Sequence, residues 1–308
     1  MILVTGVSGA LGGLVLERLV EAGGAEVVGG TRVPAPGSRG ARRVDFDEPG
    51  SLAEALAGVD VLVFVSAGYA EDDVVLARHG AVVDAAAAAG VRHAIYTSLA
   101  GSGEHLTIAL AHRWTEARLA AAPFATTVLR NGLYAEVPAG LAAGGTDVAA
   151  RTGVFGAPLG AGGISVVARE DLADVAARVA LQADADLAAG RRGRHAGRVY
   201  ELEGVEKVGG EDIAGVLAEE LGRPVRYEST SPGATREALD ASGLLPYQVG
   251  HTLSLFSNAR AGLLAADRDR GDLQDLLTAP PRPVRRLIAD AVRAEAARSA
   301  AESAAAAV

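Results

Sequence analysis

The chain has 308 residues, enough for one large domain or a core domain with a smaller lobe, and 49% of them are apolar while only 4% are aromatic. A net charge of −9 and so few aromatics exclude both a phosphate-binding basic face and a base-stacking surface, so no nucleic-acid partner is expected. The absence of cysteine excludes disulfides, thiolate nucleophiles and sulfur-ligated metals.

No leader pattern and no uninterrupted apolar stretch of about 18 residues occurs, so the chain reads as an intact cytoplasmic protein without a membrane partner. In chain order, Ile2 to Thr5 predicts a strand and Leu11 to Ala22 a helix closed by Gly23-Gly24. Strands follow at Glu26 to Gly30 and Val44 to Asp47, then a helix from Ser51 to Ala57. The nearly continuous apolar run from Val59 to Val65 fits a strand covered on both faces. A helix from Asp73 to Ala89, a strand from His93 to Thr97, a helix from Ile108 to Ala121 and a strand from Ala125 to Leu129 complete the series. Such alternation predicts an α/β fold, a doubly wound parallel Rossmann sheet over residues 1–133.

From residue 134 to about 290 the rhythm changes, which predicts a smaller C-terminal substrate lobe with Gly-rich loops at Gly140 to Gly145 and Gly153 to Gly163. Within it a helix near Arg169 to Leu181 and a strand at Val199 to Leu202 are expected to return to the main sheet. A helix from Glu211 to Leu221 and a mainly helical stretch from Thr235 to Ala265 follow. Residues 291–308 are alanine-rich and read as a frayed or disordered tail without function.

The strongest local signal is Gly6-Val7-Ser8-Gly9-Ala10-Leu11-Gly12, placed between the first strand and the first helix. Gly6 and Gly9 allow a tight turn and backbone approach to a pyrophosphate, and Gly12 allows the helix to pack closely on the strand. The phosphate would sit on the unpaired amides of the helix N-terminus, making Gly6, Ser8, Gly9, Ala10 and Leu11 the cofactor turn. The residue that reads the ribose lies about 20 positions on, at the end of the second strand. Arg32 stands there, and no carboxylate occurs between Val27 and Val44. A guanidinium matches a 2′-phosphate in charge and fork geometry, so the expected cofactor is NADP(H). Arg39, Arg42 and Arg43 read as ordinary solvated cations.

The glycine turn, Gly30-Thr31-Arg32, Ala86 to Thr97, His112-Arg113-x-Thr115-Glu116 and Leu129-Arg130-Asn131-Gly132-Leu133-Tyr134 form one set of segments. Together they resemble the NmrA-like atypical short-chain dehydrogenases/reductases, and most of all their bacterial NADPH-dependent quinone reductase branch. The resemblance implies further cofactor contacts at Asp45 and Phe46 beside the adenine and at Ser66 and Ala67 along the ribose and pyrophosphate. It also places Thr97, Ser98 and Asn131 near the nicotinamide. The Tyr-x-x-x-Lys dyad of the wider superfamily is missing, because the single lysine, Lys207, has Glu203 four residues before it. In the corresponding helix His112 and Glu116 lie one turn apart, where His112 can give a proton or hydrogen bond to a reduced oxygen and Glu116 can orient its ring. Tyr134 is a candidate pocket wall or donor.

No histidine spacing implies a metal. The reading that follows is an NADPH-dependent oxidoreductase passing hydride to a quinone-like small molecule. A non-catalytic NADP(H) sensor acting through a protein partner is the alternative, and a homo-oligomer stays open.

Overall fold

The structure is a computed structural model that describes residues 1–35, 37, 40–66, 70–204, 206–266 and 271–306, with only the backbone of 303–306. Its first half alternates strand and helix: β1 (Ile2–Val4), α1 (Ala10–Ala22), β2 (Val27–Thr31), β3 (Ala41–Arg43), α2 (Pro49–Leu56), β4 (Val61–Val65), α3 (Asp72–Ala89), β5 (His93–Leu99), α4 (Ala109–Ala120) and β6 (Ala125–Asn131). Then come β7 (Leu133–Tyr134), α5 (Glu136–Thr152), β8 (Val154–Ala157), β9 (Gly163–Val167), α6 (Arg169–Ala188), β10 (Arg198–Leu202), β11 (Lys207–Gly209) and α7 (Gly210–Leu221). The chain closes with β12 (Arg226–Ser229), α8 (Pro232–Ala241), α9 (Pro246–Arg260), α10 (Asp272–Leu276) and α11 (Val284–Ala306).

Seven strands form the main sheet in the order β10-β6-β5-β4-β1-β2-β3, every pair parallel. The order reverses between β1 and β4, which opens a crevice at the carboxyl ends of those strands. Alternation along each strand divides the core. Ile2, Val4, Val63, Ile95 and Leu129 pack with α1 and α6 on one face, and Leu3, Leu62, Phe64, Tyr96 and Val128 pack with α2, α3 and α4 on the other. A third cluster joins α5, α7 and α11 beside the carboxyl ends through Ala142, Phe155, Ile213, Leu217 and Ile288. Among the described residues no helix is long and apolar enough to cross a membrane.

The third strand lies at Ala41–Arg43 and not at Val44 to Asp47, because register against β2 pairs Gly29 with Ala41 and Thr31 with Arg43. As an edge strand it needs little apolar character, while Val44 just after it is buried under α2. The expected loop from Gly140 to Gly145 is part of helix α5. Ala139, Ala142, Thr146 and Ala149 form its buried face, and Gly145 serves close packing, since a Cβ there would lie 2.7 Å from the Phe155 ring. Gly153 ends that helix in a left-handed conformation, and of the expected second glycine loop β8 takes the first part while β9 begins at its last residue, Gly163. Residues 291–306 continue a helix whose Val284, Ile288 and Val292 are buried, so its beginning is held by packing.

Candidate active site and cofactor turn

Hydrogen bonds aim the glycine turn at the crevice. Thr5 is buried at the end of β1; its Oγ1 donates to the Val65 carbonyl at 3.3 Å and accepts from the Val65 amide at 2.9 Å, locking β1 to β4. Gly6 then takes φ +65°, and the Gly9 amide closes the turn on the Gly6 carbonyl at 2.9 Å. A Cβ on Gly12 would approach the Gly6 oxygen to 2.4 Å, so only glycine lets α1 start this close to β1. Gly6, Ser8, Gly9 and Ala10 are exposed at the rim, whereas Leu11 is buried and anchors the helix. The Val7 and Gly9 amides are taken by the Gly30 and Gly6 carbonyls, which leaves the amides of Ser8, Ala10 and Leu11 unpaired among the described residues at the helix N-terminus, the polarity a pyrophosphate requires.

Arg32 follows β2 directly, beside this turn, and its side chain is exposed. It forms no hydrogen bond or ion pair among the described residues, whereas Arg42 donates to the Ala55 and Ala57 carbonyls at 2.6 and 2.8 Å and Arg43 forks onto Glu48. Two of the neighbouring arginines are therefore structural, and Arg39 lies outside the described residues. Asp45 and Phe46 follow β3. Asp45 accepts the Asp47 amide at 3.1 Å in a local turn, and the Phe46 ring meets Phe64 edge-on at 5.8 Å. Ala67 also lies outside the described residues.

At the carboxyl ends of β4, β5 and β6 a cavity of about 320 Å³ opens. It gathers Ser66 from the end of β4, Thr97 and Ser98 from β5, His112 from α4, Asn131 from β6 and Tyr134 from β7. Asn131 is buried, and its side-chain oxygen has no hydrogen-bond partner among the described residues. A buried acceptor facing a cavity is where a ligand N–H fits. The Tyr134 ring stacks under the Arg169 guanidinium at 4.8 Å and forms part of the wall.

Glu116 does not orient His112. Its oxygens accept Ser98 Oγ at 2.5 Å, Arg113 Nη1 at 2.7 Å, and Arg130 Nε and Nη2 at 3.0 and 2.6 Å. Period two along β5 and β6 turns Ser98 and Arg130 toward α4, so the carboxylate is taken up by the sheet before it can reach the imidazole. Burial alone would push the Glu116 carboxyl up, but hydrogen bonds from Arg130 and Ser98 with the charges of Arg113 and Arg130 hold it below its ordinary value. Arg130 also bridges to Glu201 at 2.8 Å, and Glu201 accepts the Gly101 amide at 2.9 Å, which latches the loop after β5.

The ring partner of His112 is Tyr96, whose hydroxyl lies 2.9 Å from Nδ1. Burial, with the nearby Arg113 charge, lowers the imidazole to about 4 despite the opposing pull of Glu116, so at neutral pH it is an uncharged hydrogen-bonding group.

Residues the sequence did not announce complete the cavity. Tyr96 reads locally as one more apolar strand position, and only its alternation with Ser98 toward α4 hints at the site. His251, Thr252 and Leu255 of α9 form the opposite wall, held by Thr107, whose Oγ1 lies 2.6 Å from His251 Nδ1 and whose amide donates to Ser254 Oγ at 3.1 Å. No local motif marks them, because α9 arrives from more than a hundred residues away.

A family model described as NAD(P)H-binding matches residues 6–183. Quinone oxidoreductase 2 of Escherichia coli K12 is 34% identical over 252 residues, 79% of this chain and 82% of that protein. The chain belongs to the NAD(P)H-binding, NmrA-like family of oxidoreductases. Among solved structures, the E. coli NADPH-dependent quinone oxidoreductase complexed with NADPH superposes with a TM-score of 0.81 at 30% identity, covering 94% of this chain and 99% of that one. The Citrobacter sp. triphenylmethane reductase complexed with NADP(H) also gives 0.81, at 26% identity over 94% of this chain and 100% of that one.

Proposed function

We propose that the protein is an NADPH-dependent oxidoreductase that reduces a quinone or a related conjugated carbonyl. The observation that carries this reading is the cavity at the carboxyl ends of β4 to β6, largely apolar and set with Thr97, Ser98, Asn131 and His112 beside the dinucleotide turn. Bound NADPH supplies hydride; with one proton from solvent, quinone becomes hydroquinone and NADP⁺ remains.

In this reading the turn from Gly6 to Leu11 holds the pyrophosphate through its unpaired amides, those of Ser8, Ala10 and Leu11, and Arg32 takes the 2′-phosphate. Asp45 and Phe46 border the adenine. Ser66 lines the ribose and pyrophosphate, and Thr97, Ser98 and Asn131 flank the nicotinamide, with the Asn131 oxygen accepting a ligand N–H. Glu116 acts at one remove, by fixing Ser98. His112 gives a hydrogen bond to the acceptor oxygen as charge builds there, worth about 100-fold in rate for a preorganised donor. Leu99, Val137, Leu255 and the Tyr134 ring keep water away, so positioning supplies much of the remaining acceleration. A quinone suits a site without a Tyr-Lys dyad, because the hydroquinone anion needs no strong acid.

The test is anaerobic mixing of protein and NADPH with a panel of small quinones while nicotinamide absorbance is followed. Oxidation at enzyme-like rates is the expected result. Tight NADPH binding without turnover of any quinone would replace this reading with the sensor that works through a protein partner.

A further inference from the structure

His112 is tied to a group deep in the core. Tyr96 is fully buried on β5, with its ring centroid 5.1 Å from that of Phe64 and 5.8 Å from that of His79. A buried phenol has one proton and must place it on an acceptor. Thr115, packed nearby, gives its own proton to the Ala111 carbonyl at 2.7 Å, and its oxygen already lies 2.7 Å from His79 Nδ1. The unprotonated nitrogen of an imidazole is a stronger acceptor than an aliphatic hydroxyl, and His112 Nδ1 stands 2.9 Å from the phenol. Ser66, the other hydroxyl that meets the phenol, is likewise an aliphatic alcohol and the weaker acceptor, so the phenol donates to Nδ1. A neutral imidazole whose Nδ1 accepts must carry its hydrogen on Nε2. That nitrogen has no hydrogen-bond partner among the described residues, and the ring lines the cavity with Thr97, Ser98 and Asn131.

We propose that Tyr96 is a positioning residue: its phenol holds His112 in the Nε2–H form, so that a fixed N–H donor faces the oxygen of the bound acceptor. The opposite tautomer would aim a lone pair at an oxygen that gains negative charge during hydride transfer, turning a stabilising contact into a repulsive one. No sequence motif reports this arrangement, because the phenol acts from the strand and the imidazole from the following helix.

The identity of the acceptor oxygen rests on the quinone reading, but the tautomer can be read without any turnover. The full chain, labelled with ¹⁵N-histidine, is examined at pH 7 by long-range proton–nitrogen correlation, with His112 assigned by His112→Gln. The wild-type spectrum is expected to show one tautomer, with Nε2 protonated and Nδ1 bare. In Tyr96→Phe the two forms should mix, and kcat with a quinone should fall about 10-fold or more while KM for NADPH stays within about twofold, as when a transition-state contact is lost.

A wild-type His112 protonated on Nδ1 overturns the proposal, and so does a Tyr96→Phe protein with unchanged tautomer and kcat. The wild-type spectrum decides the tautomer even where the Phe variant does not fold. An Nε2–H spectrum in a protein that reduces no quinone supports the positioning role of Tyr96 and removes the quinone reading alone.

Discussion

Replacing Gly12 by alanine tests whether the glycine turn is built by close packing. The added Cβ would lie 2.4 Å from the Gly6 oxygen, 2.7 Å from its carbonyl carbon and 2.8 Å from the Thr5 oxygen. All three are backbone atoms of the turn and of β1, so the clash cannot be relieved by rotating a side chain. Either α1 lifts away from the sheet or the turn opens, and overpacking of this kind costs about 1–3 kcal/mol. In a chain of 308 residues that corresponds to a fall in Tm of roughly 2–5 °C. Because the same movement displaces the amides that face the pyrophosphate, NADPH affinity should weaken with stability.

Gly9→Val is the matched control. A Cβ at Gly9 meets only the Gly6 oxygen, at 3.2 Å, and Gly9 has the ordinary extended backbone of φ −89° and ψ 163°. Valine there should leave Tm of the unliganded protein within about 2 °C while its methyl groups, standing over an exposed rim, abolish NADPH binding. Thermal melting and calorimetric titration of both variants check this. Gly12→Ala with wild-type Tm and affinity would refute the packing argument, and Gly9→Val with intact NADPH binding would refute the placement of the cofactor.

Three further outcomes are expected. The wild-type protein should bind NADPH about tenfold or more tightly than NADH, a difference of about 1.4 kcal/mol that one bidentate guanidinium contact can supply, and Arg32→Asp should lose that preference in calorimetry. His112→Ala should lower kcat with a quinone about 100-fold while NADPH affinity stays within about threefold, whereas activity within about threefold of wild type would remove His112 from the donor role. Burial holds His79 at about 3, with the charges of His112 and Arg78 adding to it, and His93 at about 4, with His195 lowering it and Asp186 opposing. Below their ordinary value near 6.5 the unfolded chain takes up protons that the folded one refuses. Their stability contribution is therefore complete above about pH 7 and lost as the pH falls toward 4, by about 2 kcal/mol for each at pH 5. Urea unfolding at pH 7 and pH 5 measures this, and His93→Gln should shrink the difference between the two.

Much of the nucleotide half is legible in the sequence because its causes are local. The turn needs glycine where φ is positive and where α1 crowds β1, and the core strands are apolar on both faces because helices cover both. The position of Arg32 just past β2 is legible for the same reason: distance along the chain from Gly12 to the end of β2 is set by one helix and one strand. Gly140 to Gly145 misleads, since the buried face of Ala139, Ala142, Thr146 and Ala149 holds the helix through its glycines, and at Gly145 the Phe155 ring fills the space a side chain would take.

What the sequence by itself determined is the parallel sheet, the cofactor turn and the family, all of which depend on periodicity and on residues within one βαβ unit. The tertiary structure alone decided what each polar group of the cavity does. His112 and Glu116 are one turn apart in α4, yet one faces Tyr96 and the other Ser98, Arg113 and Arg130. It also brought α9 across the cavity to place His251, Thr252 and Leu255 opposite them. Hydrogen-bond partners are chosen by distance in space, and burial makes that choice strict, because a buried donor or acceptor left without a partner costs more than any helix-surface pairing returns.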